Sequence, residues 1–248
     1  MRVDVLGGAG AYPEKDRGCG GYLFRHDGFD LLIDPGYATH HALLGLVAAA
    51  DVDAVLVTHG HPDHCADLHP LLRARAMSGV GVALPLYAPV GALDAVLALD
   101  NPATLDGAYT RHDLLVPGRV EIGPLAVSVV PTPHFLPNAG VRVDVGGVSV
   151  AYSGDGGPDA AFAELAAGAD LLIAEATHAT GMPPWQAGML STAVDAGRLA
   201  AATAARELWL THLWPGSDHD AHLAAAASVF DGPIAIAGPG SAWPPTAS

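Results

Sequence analysis

The segment Thr58-His59-Gly60-His61-Pro62-Asp63-His64 constrains this chain more than any other stretch of its 248 residues. Three imidazoles and a carboxylate stand close together, directly after the apolar run 54–57. Gathering them is costly without a cation, whereas imidazole nitrogen and carboxylate oxygen together suit a zinc-type ion. Gly60 permits tight bending, and Pro62 stiffens the turn before a helix expected to start at Asp63. A polar loop with Asp63 as a helix cap would account for one histidine here but not for the full pattern. The chain must therefore supply a buried strand that ends at a site and a helix that leaves it.

The flanking pattern agrees. Short apolar runs alternate with Ala-rich stretches of helical spacing, which predicts an α/β architecture. Strands are expected at 2–6, 22–24, 29–33, 54–57, 84–88, 171–174, 208–211 and 234–237. Helices are expected at 39–50, 63–77, 90–99, 159–167, 192–205 and 221–230. His26-Asp27-Gly28 suits a hairpin turn, and the Val-rich stretch 119–153, with Gly146-Gly147 joining two strands, reads as an antiparallel meander. Strands and helices fall in both halves, which predicts two sheets packed face to face with helices outside, in one domain over 1–248. The tail 239–248 is expected to be a loose end.

One loop cannot enclose two metals, so further ligands should lie at other strand ends. His134, Asp155 and His212 each fall just past an expected strand, where the active-site residues of layered α/β folds collect. Taken singly, each has an ordinary role: the histidines as loop residues, Asp155 as a cap for the helix near Pro158.

Taken in order, these residues resemble the metallo-β-lactamase fold superfamily of binuclear hydrolases, from Leu31-Leu32-Ile33-Asp34-Pro35-Gly36 to His212. The resemblance implies an α/β (α+β) fold, a four-layer αββα sandwich with the site at one edge of the two sheets. It implies that His59, His61 and His134 hold one metal, that Asp63, His64 and His212 hold the other, and that Asp155 bridges them. Asp34 would orient the site from behind. Two Zn ions are the implied cofactors, with Mn or Fe as alternatives, and a metal-bridging hydroxide would attack without a covalent intermediate.

Within the superfamily the chain is most similar to the ribonuclease Z-like phosphodiesterase branch. Ala174-Glu175-Ala176-Thr177-His178, Leu190-Ser191-Thr192-Ala193 and Leu210-Thr211-His212 carry that resemblance. The implied catalytic residues are Asp63, Asp34, Glu175 and His178. Met189 stands where the branch commonly has a histidine that assists at the leaving group, so His178 is the expected substitute as proton donor. The plainer roles are a buttress for Glu175 and a solvent-facing imidazole for His178. Ser153 carries no signature linking it to a catalytic base.

Charge narrows the substrate. Eleven Lys and Arg face 26 Asp and Glu, a formal net charge of −15, which repels a phosphate backbone. The densest basic pair is Arg73 and Arg75, and no long Gly- and basic-rich insertion could clamp transfer RNA. Neither transfer RNA nor long nucleic acid is expected as a partner. Two cysteines form no disulfide framework, the N-terminus is too short and acidic for a signal peptide, and no apolar run reaches a membrane span. A cytoplasmic protein without membrane contact is expected, and the resemblance implies a homodimer. His40, His41, His69, His112, His219 and His222 are expected at the surface. Trp214 and Phe135, ahead of Trp185 and Trp209, are the pocket candidates. The expected activity is hydrolysis of a small phosphodiester such as a cyclic nucleotide. The alternatives are a thioesterase, lactonase or amide hydrolase of secondary metabolism, and a metal-binding protein without turnover.

Overall fold

The computed structural model describes residues 1–244, which form two compact units. The first comprises residues 1–8, 12–114 and the segment from Gly238 onward; the second comprises 9–11 and 115–237.

The first unit carries strands β1 (Arg2–Val5), β2 (Tyr22–His26), β3 (Phe29–Ile33), β4 (Ala54–Leu56), β5 (Leu84–Ala88) and β6 (Tyr109–Asp113). Its helices are α1 (His40–Leu44), α2 (Pro62–Cys65), α3 (Leu68–Ser78) and α4 (Asp94–Leu97). The second unit carries β7 (Gly118–Ile122), β8 (Leu125–Thr132), β9 (Asn138–Val145), β10 (Val148–Tyr152), β11 (Leu171–Glu175), β12 (Leu208–Thr211) and β13 (Ile234–Ile236). With them go α5 (Ala160–Leu165), α6 (Ala193–Thr203) and α7 (His219–Ala227). A last strand, β14 (Ala242–Trp243), returns to the first sheet.

Both sheets are seven-stranded, in the orders β14-β1-β2-β3-β4-β5-β6 and β13-β12-β11-β10-β9-β8-β7. Each is mixed. In the first, pairing is antiparallel from β14 to β3 and parallel from β3 to β6. In the second it is antiparallel from β7 to β10 and parallel from β10 to β13. The carboxyl ends of parallel strands are where such sheets present functional loops. The expected hairpins form where turn chemistry placed them, at Asp27-Gly28 and Gly146-Gly147, all four residues with positive φ as two-residue turns require.

In the first unit Leu23, Leu32, Val55 and Leu86 from the strands pack with Leu43, Leu68, Leu71, Leu72 and Val96 from the helices. In the second the core is built with smaller residues: Ala151, Ala174 and Leu210 meet Phe162, Ala193, Ala196 and Ala200, so helix and sheet backbones approach closely. No helix among the described residues is long and apolar enough to cross a membrane.

Several expectations need correction. The helix expected over 63–77 is two helices, α2 and α3, broken at Ala66-Asp67. Pro70 is the reason: it has no N–H to give Ala66 and its ring would clash with that carbonyl, but it fits the first turn of a new helix. α2 starts at Pro62 with His61 in the cap position, one residue earlier than expected. The tail is not loose as far as it is described, because Val3 pairs with Trp243 and Asp4 with Ala242; residues 245–248 lie outside the described residues. β6 was not expected. Its residues Tyr-Thr-Arg-His-Asp are largely exposed, as suits an edge strand without apolar alternation.

Arg75 is not a surface cation. Its Nη1 donates to the carbonyls of Ala49, Ala50 and Val52 at 2.8, 2.9 and 3.1 Å, and its Nη2 to that of Val82 at 3.2 Å. Burial pushes this guanidinium below its ordinary pKa. Arg73 is paired with Asp100.

Candidate metal centre

In the first unit the cluster is built on the ends of β3 and β4. Asp34 follows β3 with φ of 52°, a left-handed conformation that costs a non-glycine residue about 1–3 kcal/mol and is held only by its surroundings. Its fully buried carboxylate accepts from the Thr58 backbone N–H (2.7 Å) and the Thr58 hydroxyl (2.7 Å), and lies 2.8 Å from His64 Nδ1. Thr58 Oγ1 is also 3.1 Å from His59 Nδ1, and His59 Nε2 is 3.0 Å from His61 Nδ1. Asp63 and His64 occupy the first turn of α2, with His64 Nε2 3.7 Å from Asp63 Oδ2. A Cβ on Gly36 would sit 1.9 Å from the Asp63 carbonyl oxygen, and one on Gly60 would sit 2.8 Å from that of Ala92. The glycines let neighbouring backbone close on the 59–64 loop.

In the second unit His134 follows β8, and its Nδ1 donates to the Met189 carbonyl at 3.1 Å. Asp155 follows β10. Its own carbonyl accepts from the Thr132 hydroxyl at 3.0 Å and from the Asn138 amide, which pins the residue. Its Oδ2 lies 3.1 Å from His212 Nε2 and 3.7 Å from His134 Nε2. His212 follows β12, again with positive φ, 55°. Helix α5 is capped by Asp159, so Asp155 is not spent as a cap.

Glu175 ends β11, buried. It accepts from the Gly156 N–H, the Ser191 N–H (3.2 Å) and the Thr177 hydroxyl (2.6 Å), and Thr177 Oγ1 lies 2.9 Å from His212 Nδ1. Burial, and next the negative charge of Asp155, push this carboxyl up to about 8; His212, Thr177 and Gly156 pull the other way. Ser153 accepts from the Glu175 N–H and donates to the Gly154 carbonyl, a structural post. His178 is half-buried, its Nε2 2.7 Å from Gln186 Oε1 and its ring stacked on Trp214. Phe135 and Trp185, 46% and 67% exposed, lie with ring centroids 6.2 Å apart, and Phe135 meets His134 edge-on. Trp209 is buried and donates to Glu207, so it lines no open pocket. His222 is buried too, hydrogen-bonded to the Asp218 carbonyl, contrary to the expected surface position: it lies on the inner side of α7.

The donor chemistry fits divalent cations. In the first unit His59 with His61, and Asp63 with His64, offer ligand atoms within 4.8 Å of each other; in the second, Asp155 does so with both His134 and His212. Asp34 and the Met189 carbonyl can only accept, so the Nδ1 atoms of neutral His64 and His134 carry the proton and Nε2 keeps the lone pair. Sequence reading passed over Thr58, Thr132, Asn138 and Thr177. A threonine beside a strand-end ligand or acid was the available signal for two of them.

The comparisons agree with this chemistry. The β-lactamase superfamily domain model matches residues 30–213. The probable metallo-hydrolase YhfI of Bacillus subtilis (strain 168) is 32% identical over 247 residues, covering 98% of this chain and 99% of that protein. The crystal structure of YhfI superposes with a TM-score of 0.90 at 30% identity over 98% of both chains. A ribonuclease Z of Mycolicibacterium paratuberculosis is 35% identical over 193 residues, covering 70% of this chain and 69% of its own. The chain belongs to the metallo-β-lactamase superfamily, and its fold is that α/β type, two mixed sheets flanked by helices. It is a metallo-hydrolase of that superfamily with candidate His and Asp metal-binding groups.

Proposed function

We propose that the two sets of ligands act together on two divalent cations, zinc in the first instance, and hydrolyse a small phosphodiester such as a cyclic nucleotide. His59, His61, His134 and Asp155 would hold one ion; Asp63, His64, Asp155 and His212 would hold the other. The observation that carries this reading is the Asp155 carboxylate, whose Oδ2 faces the Nε2 atoms of both His134 and His212. Bound cations would supply Lewis acidity and lower the pKa of coordinated water.

The chain's own residues do the rest. Asp34 and Glu175 are buried and spent on hydrogen bonds, so they orient rather than react. His178, held by Gln186 and Trp214, is the titratable group assigned to leaving-group protonation. Phe135 and Trp185 form an exposed aromatic edge beside His134, suited to a ring-bearing substrate. A small substrate rather than transfer RNA is favoured by the net charge of −15 and by the commitment of Arg75 and Arg73 to internal partners. The ribonuclease Z relative supports phosphodiester chemistry.

A second reading, hydrolysis of a thioester, lactone or amide, is favoured by Met189, which puts an exposed thioether where the branch has an imidazole. The zinc-loaded protein should turn over bis(p-nitrophenyl) phosphate and cyclic nucleotides above a thioester and lactone panel. Background rates on the phosphodiesters with strong thioester or lactone turnover would reverse the order of the two readings. Two bound ions with silence on all panels would favour a metal-binding protein without turnover.

A further inference from the structure

Each unit contains the same short chain of groups: a buried carboxylate, a threonine hydroxyl and the Nδ1 of a histidine. In the first unit it runs Asp34, Thr58, His59, with contacts of 2.7 and 3.1 Å. In the second it runs Glu175, Thr177, His212, with contacts of 2.6 and 2.9 Å. All six side chains are buried. We propose that Thr58 and Thr177 are positioning residues that set the tautomers of His59 and His212. The inference rests on the assignment of those histidines as ligands.

A hydroxyl has one proton to give. Thr58 donates it to Asp34 and Thr177 donates it to Glu175, so the threonine proton is spent on the acid, and toward the imidazole the oxygen can offer only a lone pair. The proton between oxygen and ring then belongs to Nδ1, and Nε2 is left with the lone pair a cation requires. Each acid is fixed in turn by further donors. Asp34 also takes the Thr58 N–H and faces His64; Glu175 takes the backbone N–H groups of Gly156 and Ser191. The strained backbone sits at opposite ends of the two chains, on Asp34 in one and on His212 in the other. With His64 held by Asp34 and His134 by the Met189 carbonyl, four imidazoles are presented through Nε2 by four different acceptors. Glu175 is on this account an anchor acting through Thr177, not the acid of the reaction.

Long-range ¹H–¹⁵N correlation spectra of the ¹⁵N-labelled, metal-free full chain read the tautomers directly. His59→Gln and His212→Gln assign the signals. A proton on Nδ1 is expected for both rings; on His212 the Asp155 carboxylate, 3.1 Å from Nε2, can hold a second proton there in the absence of a cation, and a ring with a bare Nδ1 in the wild-type chain would overturn the proposal without any variant having to fold. Thr58→Val and Thr177→Val should lose the bias and weaken zinc binding, measured by chelator competition, by roughly 10- to 100-fold. Thr58→Ser and Thr177→Ser should keep both properties. Unchanged tautomers and zinc affinity in the valine variants would refute the relay. If His59→Gln and His212→Gln keep full zinc content, the ligand assignment fails, whereas the wild-type spectrum tests the tautomer relay separately.

Discussion

His59 Nε2 lies 3.0 Å from His61 Nδ1, with the two rings edge to face at 80°. Two ring nitrogens this close can share one proton or point their lone pairs at one cation, and the second arrangement suits the surrounding acids. Metal removal should therefore abolish turnover, and zinc should raise the urea midpoint of the metal-free protein. At a hundredfold excess over Kd a single stabilising ion contributes about 2.7 kcal/mol. His59→Ala and His61→Ala should each lower metal content and shrink that stabilisation; a zinc-independent midpoint in the wild type would contradict the assignment.

Gly36 meets the 59–64 loop at the Asp63 backbone. A methyl group there would overlap the Asp63 carbonyl, with the Gly20 carbonyl 2.8 Å away, and no side chain can swing aside. Gly36→Ala should cost roughly 1–3 kcal/mol through forced backbone movement and reduce bound metal. Urea melts and metal analysis together check this. Loss of stability with full metal occupancy would mean that the displacement does not reach Asp63.

Glu175 should leave a signature in the pH dependence of stability. Its folded pKa, about 8, is raised above the ordinary 4.5, so its favourable contribution is complete below the unfolded value and is lost as pH rises through the folded one. Between those limits the metal-free protein should lose stability with a slope of up to about 1.4 kcal/mol per pH unit from this group. Glu175→Gln should be flatter over the same window. Superimposable wild-type and variant curves would show that the carboxyl is ionised throughout.

Arg75 and Arg73 are two residues apart but should answer mutation differently. Arg75 serves four carbonyls at once, which a lysine ammonium cannot reach together. Arg75→Lys should cost on the order of 2–4 kcal/mol by leaving buried carbonyls unmet. Arg73→Lys, at an exposed position, should change the melting curve far less. Equal effects would remove the structural role given to Arg75.

Much of this was legible in the sequence. The candidate donor groups at 59, 61, 63, 64, 134, 155 and 212, the two hairpin turns and the Val-rich meander all rest on local chemistry. Turn residues set φ, and a strand end followed by His or Asp announces a site. Where local reasoning failed, a distant or steric term won. Pro70 divided a helix that apolar spacing joined, and β1 captured a tail that composition left loose. β6 stayed hidden because an exposed edge strand needs no apolar alternation.

The sequence by itself determined which donor groups the protein owns and that they follow strands. Only the tertiary structure decided which acceptor holds which imidazole. Strand register is the physical reason. Pairing of Ile33 with Leu56 brings Asp34 to Thr58 and, through it, to His59. Pairing of Glu175 with Thr211 sets His212 beside Thr177. These partners stand 24 and 35 residues apart along the chain, and a shift of one residue in either pairing would turn the acid or the histidine to the other face of its sheet.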